Sequence, residues 1–148
     1  MRRTSSLALA LVFLSGCGGG GGGGPALTKE QYAAKADAIC GKYNKQVKAL
    51  GNPNNLQDLA TVADKTLPIL GGAIDELDAL KPPASEKALS DQWLTQVRNL
   101  KDDLQEIRDK AKAGDTQGIQ SVLPKAQDHN SKSNSLAAEL GMSVCNKD

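Results

Sequence analysis

Four segments of this 148-residue chain repeat apolar residues every three or four positions, the spacing of one face of an α-helix. They cover residues 28–50, 55–80, 85–113 and 116–140. No segment alternates polar and apolar residues as a surface strand does, and β-branched and aromatic residues are scarce. The sequence therefore predicts an all-α protein, with residues 28–148 forming an antiparallel up-down four-helix bundle.

Residues that begin and end helices flank these segments. Thr28 followed by Gln31 makes a capping-box pattern, and Asn54 or Asn55 and then Asp115 can cap the second and fourth helices. Residues that stop a helix follow the four segments: Gly51 and Pro53, then Pro82 and Pro83, Gly114 and Gly141. Because the connections are short, we expect helices that follow each other in the sequence to pack side by side.

The N-terminal residues 1–16 predict a signal peptide. Arg2 and Arg3 precede eight apolar residues, LALALVFL, which are too few to span a bilayer but typical of a secretory leader. The sequence Leu14-Ser15-Gly16-Cys17 (residues 14–17) resembles the lipobox of bacterial lipoprotein precursors at all four positions. That resemblance implies cleavage before Cys17 and lipid attachment to its sulfur. An ordinary signal peptide with an incidental cysteine is the alternative.

Residues 17–27 then predict a lipidated cysteine followed by a flexible tether. Gly18 to Gly24 are seven consecutive glycines, whose root-mean-square span is roughly 15 Å for a flexible chain. Two or more acyl chains hold a protein stably on a membrane. We therefore expect a domain on the extracytoplasmic side of the cell membrane, bound to it through Cys17.

The other two cysteines, Cys40 and Cys145, predict one disulfide. An export signal sends them to an oxidising compartment, where two cysteines allow a single pairing. Because Cys40 lies well inside the first helix, residues 142–144 would have to double back along the bundle as a strap. Two free thiols and a metal-binding pair are the alternatives at this stage.

Four short stretches resemble a family of small exported helical proteins common in actinobacteria. They are ADAIC at residues 36–40, LKPP at 80–83, AGD at 113–115 and ELGMSVC at 139–145. The resemblance implies the helical fold, the disulfide and export, and it implies no activity.

The charges are balanced overall but uneven along the chain. Eighteen Lys and Arg face seventeen Asp and Glu, for a net charge of +1, which argues against a nucleic-acid-binding protein. The first helix carries five lysines against Glu30 and Asp37, whereas the second carries five acidic residues against Lys65 and the adjoining Lys81. Either the two helices complement each other, or the first presents a basic face to anionic lipid.

The candidate ligand site is a polar stretch of the fourth helix, with His129, Asn130 and Ser133 as candidate binding residues. His129 and Ser133 fall on the extrapolated apolar stripe of that helix, so they could line a polar notch beside Gly71 and Gly72. Alternatively, Pro124 shifts the helical phase and His129 faces solvent. The sequence favours the solvent-facing arrangement.

No catalytic residue, metal ligand or cofactor is predicted. His129 is the only histidine, and neither a Glu-x-x-His nor a Cys-x-x-Cys-His motif occurs. We therefore expect a lipid-anchored cell-envelope protein, not an enzyme, acting as a binding or interaction module for an unknown envelope protein. The alternative is a carrier or sensor of a small polar ligand in the bundle interior.

Overall fold

The computed structural model describes residues 25–147, which fold as four α-helices without any strand in that range. The prediction of an all-α domain with four helices is confirmed. A single 3-10 turn, Ala84–Glu86, leads directly into the third helix. The helices are α1 Lys29–Lys48, α2 Leu56–Asp78, α3 Lys87–Lys112 and α4 Thr116–Glu139.

Three of the four helices begin at the side-chain caps that the sequence predicts. Thr28 accepts a hydrogen bond from the backbone N–H of Gln31 at 3.2 Å, and the Gln31 side chain accepts one from the Thr28 N–H at 3.1 Å. Asn55 caps α2 and Asp115 caps α4 in the same way. Helix α3 has no side-chain cap, and the 3-10 turn before it orders its entry instead.

The main core joins all four helices around two aromatic side chains. Tyr32 and Trp93 are almost completely buried, and the Tyr32 hydroxyl shares a 2.5 Å hydrogen bond with the buried Ser90 hydroxyl. That bond gives both buried oxygens a partner, as buried polar groups require. The other core members are Ala33, Ala36, Leu77, Leu94, Ala137, Leu140 and Met142. A smaller cluster of Ala60, Ala111 and Ile119 joins α2, α3 and α4.

Helix α1 packs closely on α2 at Gly72, a position without a side chain. A Cβ atom at Gly72 would lie only 3.0 Å from the Tyr43 hydroxyl, so the glycine lets the phenol approach the helix backbone. The same hydroxyl donates a 2.7 Å hydrogen bond to Glu76. The space left by Gly72 is therefore filled from α1. It does not open into a notch.

The residues after α4, 141–147, form a C-terminal strap that folds back onto α1. Gly141 ends the helix with a φ of +82°, a left-handed conformation that favours glycine. Met142 then enters the core, and Cys145 forms a disulfide with Cys40, their Cα atoms 5.4 Å apart. The predicted disulfide is confirmed, and free thiols and a metal-binding pair are excluded.

Candidate functional site

A buried carboxylate on α3 binds two basic side chains of α4. The Asp103 side chain is only 2 % exposed, and its Oδ2 lies 2.6 Å from His129 Nδ1. Its other oxygen, Oδ1, lies 2.9 Å from the ammonium nitrogen of Lys125. We call Asp103, Lys125 and His129 the Asp103 cluster.

Helical spacing explains how the cluster assembles. Asp103 comes three residues after Leu100 and four before Ile107, so it lies on the face of α3 that packs against the bundle. Lys125 and His129 are four residues apart and project from one face of α4. One turn of α4 therefore supplies a partner to each oxygen of the carboxylate.

The cluster holds a charge inside the protein. Burial opposes ionisation of Asp103, but the contacts with His129 and Lys125 outweigh burial and hold the pKa of its carboxyl below the usual range. The hydrogen bond to Asp103 in turn raises the pKa of Lys125. Both carboxylate oxygens of Asp103 thus have a basic partner on α4. The geometry is that of a buried ion pair linking two helices.

The three predicted site residues have different surroundings. The expectation that His129 faces solvent is wrong: its side chain is 17 % exposed and contacts Asp103, because α4 turns this face toward α3. Ser133, one turn further along α4, is buried, and Asn130 is partly buried. Sequence reasoning missed Asp103 and Lys125. The available signal was that Asp103 fits the apolar spacing of α3 as well as its neighbour Leu104 does.

An open groove runs between α3 and α4 beside the predicted site residues of α4. It has a volume of about 480 Å³, within the range of small-molecule sites. Five of its seven lining side chains carry an amide or a hydroxyl: Gln92, Thr95, Gln96, Ser131 and Ser135. Lys132 and Leu136 complete the lining. The groove thus offers hydrogen-bonding groups set in a larger area of apolar surface.

Two hydroxyl groups of this groove can accept further hydrogen bonds. The Thr95 hydroxyl donates to the Asp91 carbonyl at 2.8 Å and the Ser135 hydroxyl to the Ser131 carbonyl at 3.0 Å, so their lone pairs are left for other donors. The buried Oε1 of Gln96 has no hydrogen-bond partner among the described residues. An occupant of the groove that donates hydrogen bonds would pair with the exposed Thr95 and Ser135 hydroxyl oxygens.

Asp37 on α1 fastens the C-terminal strap. Its Oδ2 accepts from the Ser143 N–H at 2.7 Å and the Ser143 hydroxyl at 2.9 Å. Its Oδ1 accepts from the N–H groups of Val144 at 2.8 Å and Cys145 at 3.0 Å. Partial burial raises the pKa of Asp37, but these donors outweigh it, so the pKa lies below its ordinary value of 3.8. The carboxylate gives three strap N–H groups a partner one turn before Cys40.

We expect Asp37→Ala to lower the free energy of unfolding by about 1–3 kcal/mol at neutral pH, because three N–H groups of the strap lose their acceptor. The folded-state pKa is depressed, so this contribution is present above the unfolded value of 3.8 and is lost as pH falls through the lower folded value. Urea unfolding at neutral pH and at strongly acidic pH measures both effects. Asp75→Ala, at an exposed position of α2, is the control. An equal loss in both variants would contradict the role of Asp37.

No group of three or more His, Cys, Asp and Glu side chains within residues 25–147 could hold a metal ion. No helix in that part of the chain is long and apolar enough to cross a membrane. Cys17, the predicted lipid attachment site, lies outside the described residues. No protein-family model, curated protein or solved structure matches the chain.

Proposed function

We propose that this protein is a lipid-anchored cell-envelope protein whose helical domain is a non-catalytic binding module. The lipobox-like residues 14–17 support the anchor at Cys17 on the extracytoplasmic side of the membrane. The Cys40–Cys145 disulfide is consistent with export, because disulfides persist in oxidising compartments. We include in this proposal the resemblance of the chain to small exported helical proteins of actinobacteria, which implies export as well.

We further propose that the four helices follow each other in antiparallel, up-down order. Contacts between α2 and α3 support it, because Asp64 near the start of α2 meets Lys112 at the end of α3, and Asp78 at the end of α2 meets Arg98. The Asp103 cluster supports the same order for α3 and α4. Asp103 contacts both Lys125 and His129, whereas Glu106, one turn later on α3, lies 3.7 Å from Lys125, the earlier of the two on α4. Short connections between the helices favour it as well.

The α3–α4 groove is the observation that carries the binding function. Its amides and hydroxyls can recognise a partner, and the Thr95 and Ser135 hydroxyls keep lone pairs that can accept further hydrogen bonds. A segment of an envelope protein that donates backbone or side-chain hydrogen bonds would fit this chemistry. The groove is open along its length, which suits an extended segment of a partner.

A small polar ligand is the second candidate occupant. The groove volume of about 480 Å³ favours it, because small-molecule sites range from about 300 to 1,000 Å³. The bundle interior, where the sequence suggested such a site, is occupied at His129 by the Asp103 cluster. A carrier or sensor function would therefore use the groove.

One experiment tests the anchor and the groove together. The full chain is produced in a bacterium as wild type and as the Cys17→Ser, Ser135→Trp and Ser121→Trp variants. Membranes are then isolated, cross-linked and analysed for bound proteins and small molecules. Ser135→Trp fills the groove, whereas Ser121→Trp is a matched control. Both serines are exposed on α4, and each hydroxyl bonds to a carbonyl of the preceding turn.

We expect the wild type and both tryptophan variants in the membrane fraction and Cys17→Ser in the soluble fraction. A bound molecule should be recovered with the wild type and Ser121→Trp and lost with Ser135→Trp. A protein would support the interaction module, and a small molecule would support the carrier. Equal membrane attachment of Cys17→Ser would contradict the anchor. Equal recovery with Ser135→Trp, or no recovery with the wild type, would contradict the groove as the binding site.

A further inference from the structure

The outer half of α1 carries a row of exposed lysines. Lys35, Lys42, Lys45 and Lys48 are all exposed, and at about 100° per residue they fall within an arc of about 140° on the side of the helix away from the mean direction of its buried residues. Over these 13 positions the row extends about 20 Å at 1.5 Å per residue. We call these four residues the α1 lysine face.

The acidic residues of α2 do not neutralise this face. Asp64 pairs with Lys112 of α3 at 2.8 Å, and Asp78 pairs with Arg98 of α3 at 2.6 Å. Of the two helices' charges, only Glu76 and Lys42 form an α1–α2 ion pair. Complementary charge therefore joins α2 to α3, which the uneven sequence charges did not predict.

Three members of the α1 lysine face consequently have no ion-pair partner among the described residues: Lys35, Lys45 and Lys48. The two acidic residues of α1 do not compensate for them. Glu30 lies in the first turn of the helix, and Asp37 is occupied by the N–H groups of the strap. The face is therefore basic over most of the length of α1.

The surface between the lysines presents little else. Ala34 and Ala38 are exposed on the same half of the helix and have no side chain long enough to hold a flat partner away. Long lysine side chains on such a surface can reach a plane of negative charge together. A bilayer containing anionic lipid presents such a plane.

We propose that the α1 lysine face binds the headgroups of anionic phospholipids in the membrane surface. The inference rests on the proposed function only for the anchor, which would bring α1 close to the bilayer. Helix α1 begins twelve residues after Cys17, so an anchored chain would reach its membrane with this helix first. A weak contact between the α1 lysine face and the lipid headgroups then suffices for binding, because the tether raises the effective concentration of the helix at the membrane surface.

Vesicle sedimentation with the mature chain tests this inference. Residues 17–148 with Cys17→Ser, which carry no lipid, are mixed with vesicles of phosphatidylcholine alone or of phosphatidylcholine and phosphatidylglycerol in equal parts. The test variant is Lys35→Gln/Lys45→Gln/Lys48→Gln. Its matched control, Lys65→Gln/Lys87→Gln/Lys101→Gln, removes the same number of positive charges from α2 and α3.

We expect the parent chain to bind the phosphatidylglycerol vesicles and not phosphatidylcholine alone. A lysine near an anionic surface contributes about fivefold in affinity, so the test variant should lose up to about 100-fold. The control should bind within about threefold of the parent chain, since its lysines lie away from the face. Added salt should weaken the binding of the parent chain.

Three results would overturn the proposal. They are no binding of the parent chain to phosphatidylglycerol vesicles, equal losses in test and control variants, and binding to soluble polyphosphate without binding to vesicles. The last would assign the face to a soluble polyanion. Because Cys17 carries no lipid here, failure of this test is distinct from failure of the anchor or the groove in the membrane-fraction experiment.

Discussion

Replacement of His129 by leucine is expected to lower the free energy of unfolding by about 2–4 kcal/mol, because it leaves one oxygen of a buried carboxylate without a partner. The Asp103 side chain is 2 % exposed, and only Lys125 would still contact it. Losing the His129 contact should also raise the pKa of Asp103, since less would oppose the effect of burial. Urea unfolding at neutral pH measures the loss.

A double-mutant cycle that includes Asp103→Leu separates the Asp103–His129 hydrogen bond from simple packing. In Asp103→Leu/His129→Leu both polar partners are replaced, so the double variant should be more stable than His129→Leu alone. Asp128→Ala is the control, because its ion pair with Lys132 on the same helix is more than half exposed and should change stability by less than about 0.5 kcal/mol. Additive losses in the cycle would show that the two side chains do not stabilise each other.

Loss of the disulfide is expected to have an effect at least as large. Cys145→Ser should destabilise the fold by about 2–5 kcal/mol, because the bond closes a long loop and restricts the unfolded chain. The two cysteines are 105 positions apart, so nearly the whole folded domain lies within that loop. Thermal unfolding with and without a reducing agent, together with the variant, measures the contribution.

Matched cysteine variants give the controls. Cys40→Ser and Cys40→Ser/Cys145→Ser should lose nearly as much as Cys145→Ser, because each of the three lacks the same bond. Cys17→Ser in the soluble mature chain should leave stability unchanged, since Cys17 takes no part in the disulfide. If a reducing agent left the unfolding temperature of the wild type unchanged, the bond would not be stabilising the fold.

Local sequence was sufficient to predict the helices and most of their ends. The spacing of apolar residues and the caps at Thr28, Asn55 and Asp115 act within one or two turns of the chain, so they can be recognised without knowing the neighbours. The start of α3 was less well predicted, because a 3-10 turn after Pro83 replaces a side-chain cap there. The disulfide was predicted from the number of cysteines and from the expected export of the chain.

The candidate site was only half predictable. His129 was identified as a candidate from its place on the apolar stripe of α4. The prediction that it faces solvent was wrong, and its partner Asp103 was not predicted. In a helix of 3.6 residues per turn, adjacent positions such as 103 and 104 both fit a three-and-four spacing. Hydrophobicity favoured Leu104 for the core, whereas packing buried Asp103 because α4 supplies two basic partners.

The sequence by itself thus predicted the helix number, three of the helix caps and the pairing of Cys40 with Cys145, all of which follow from short-range patterns or from counting. Only the tertiary structure decided which charges meet. It joined Asp64 and Asp78 of α2 to α3 and placed Asp37 against the strap. Three lysines of the α1 lysine face have no ion-pair partner among the described residues as a result. The physical reason is that ion pairs depend on the rotation of each helix about its axis and on which neighbour it packs against. Both are set by packing of the whole core and not by any one segment.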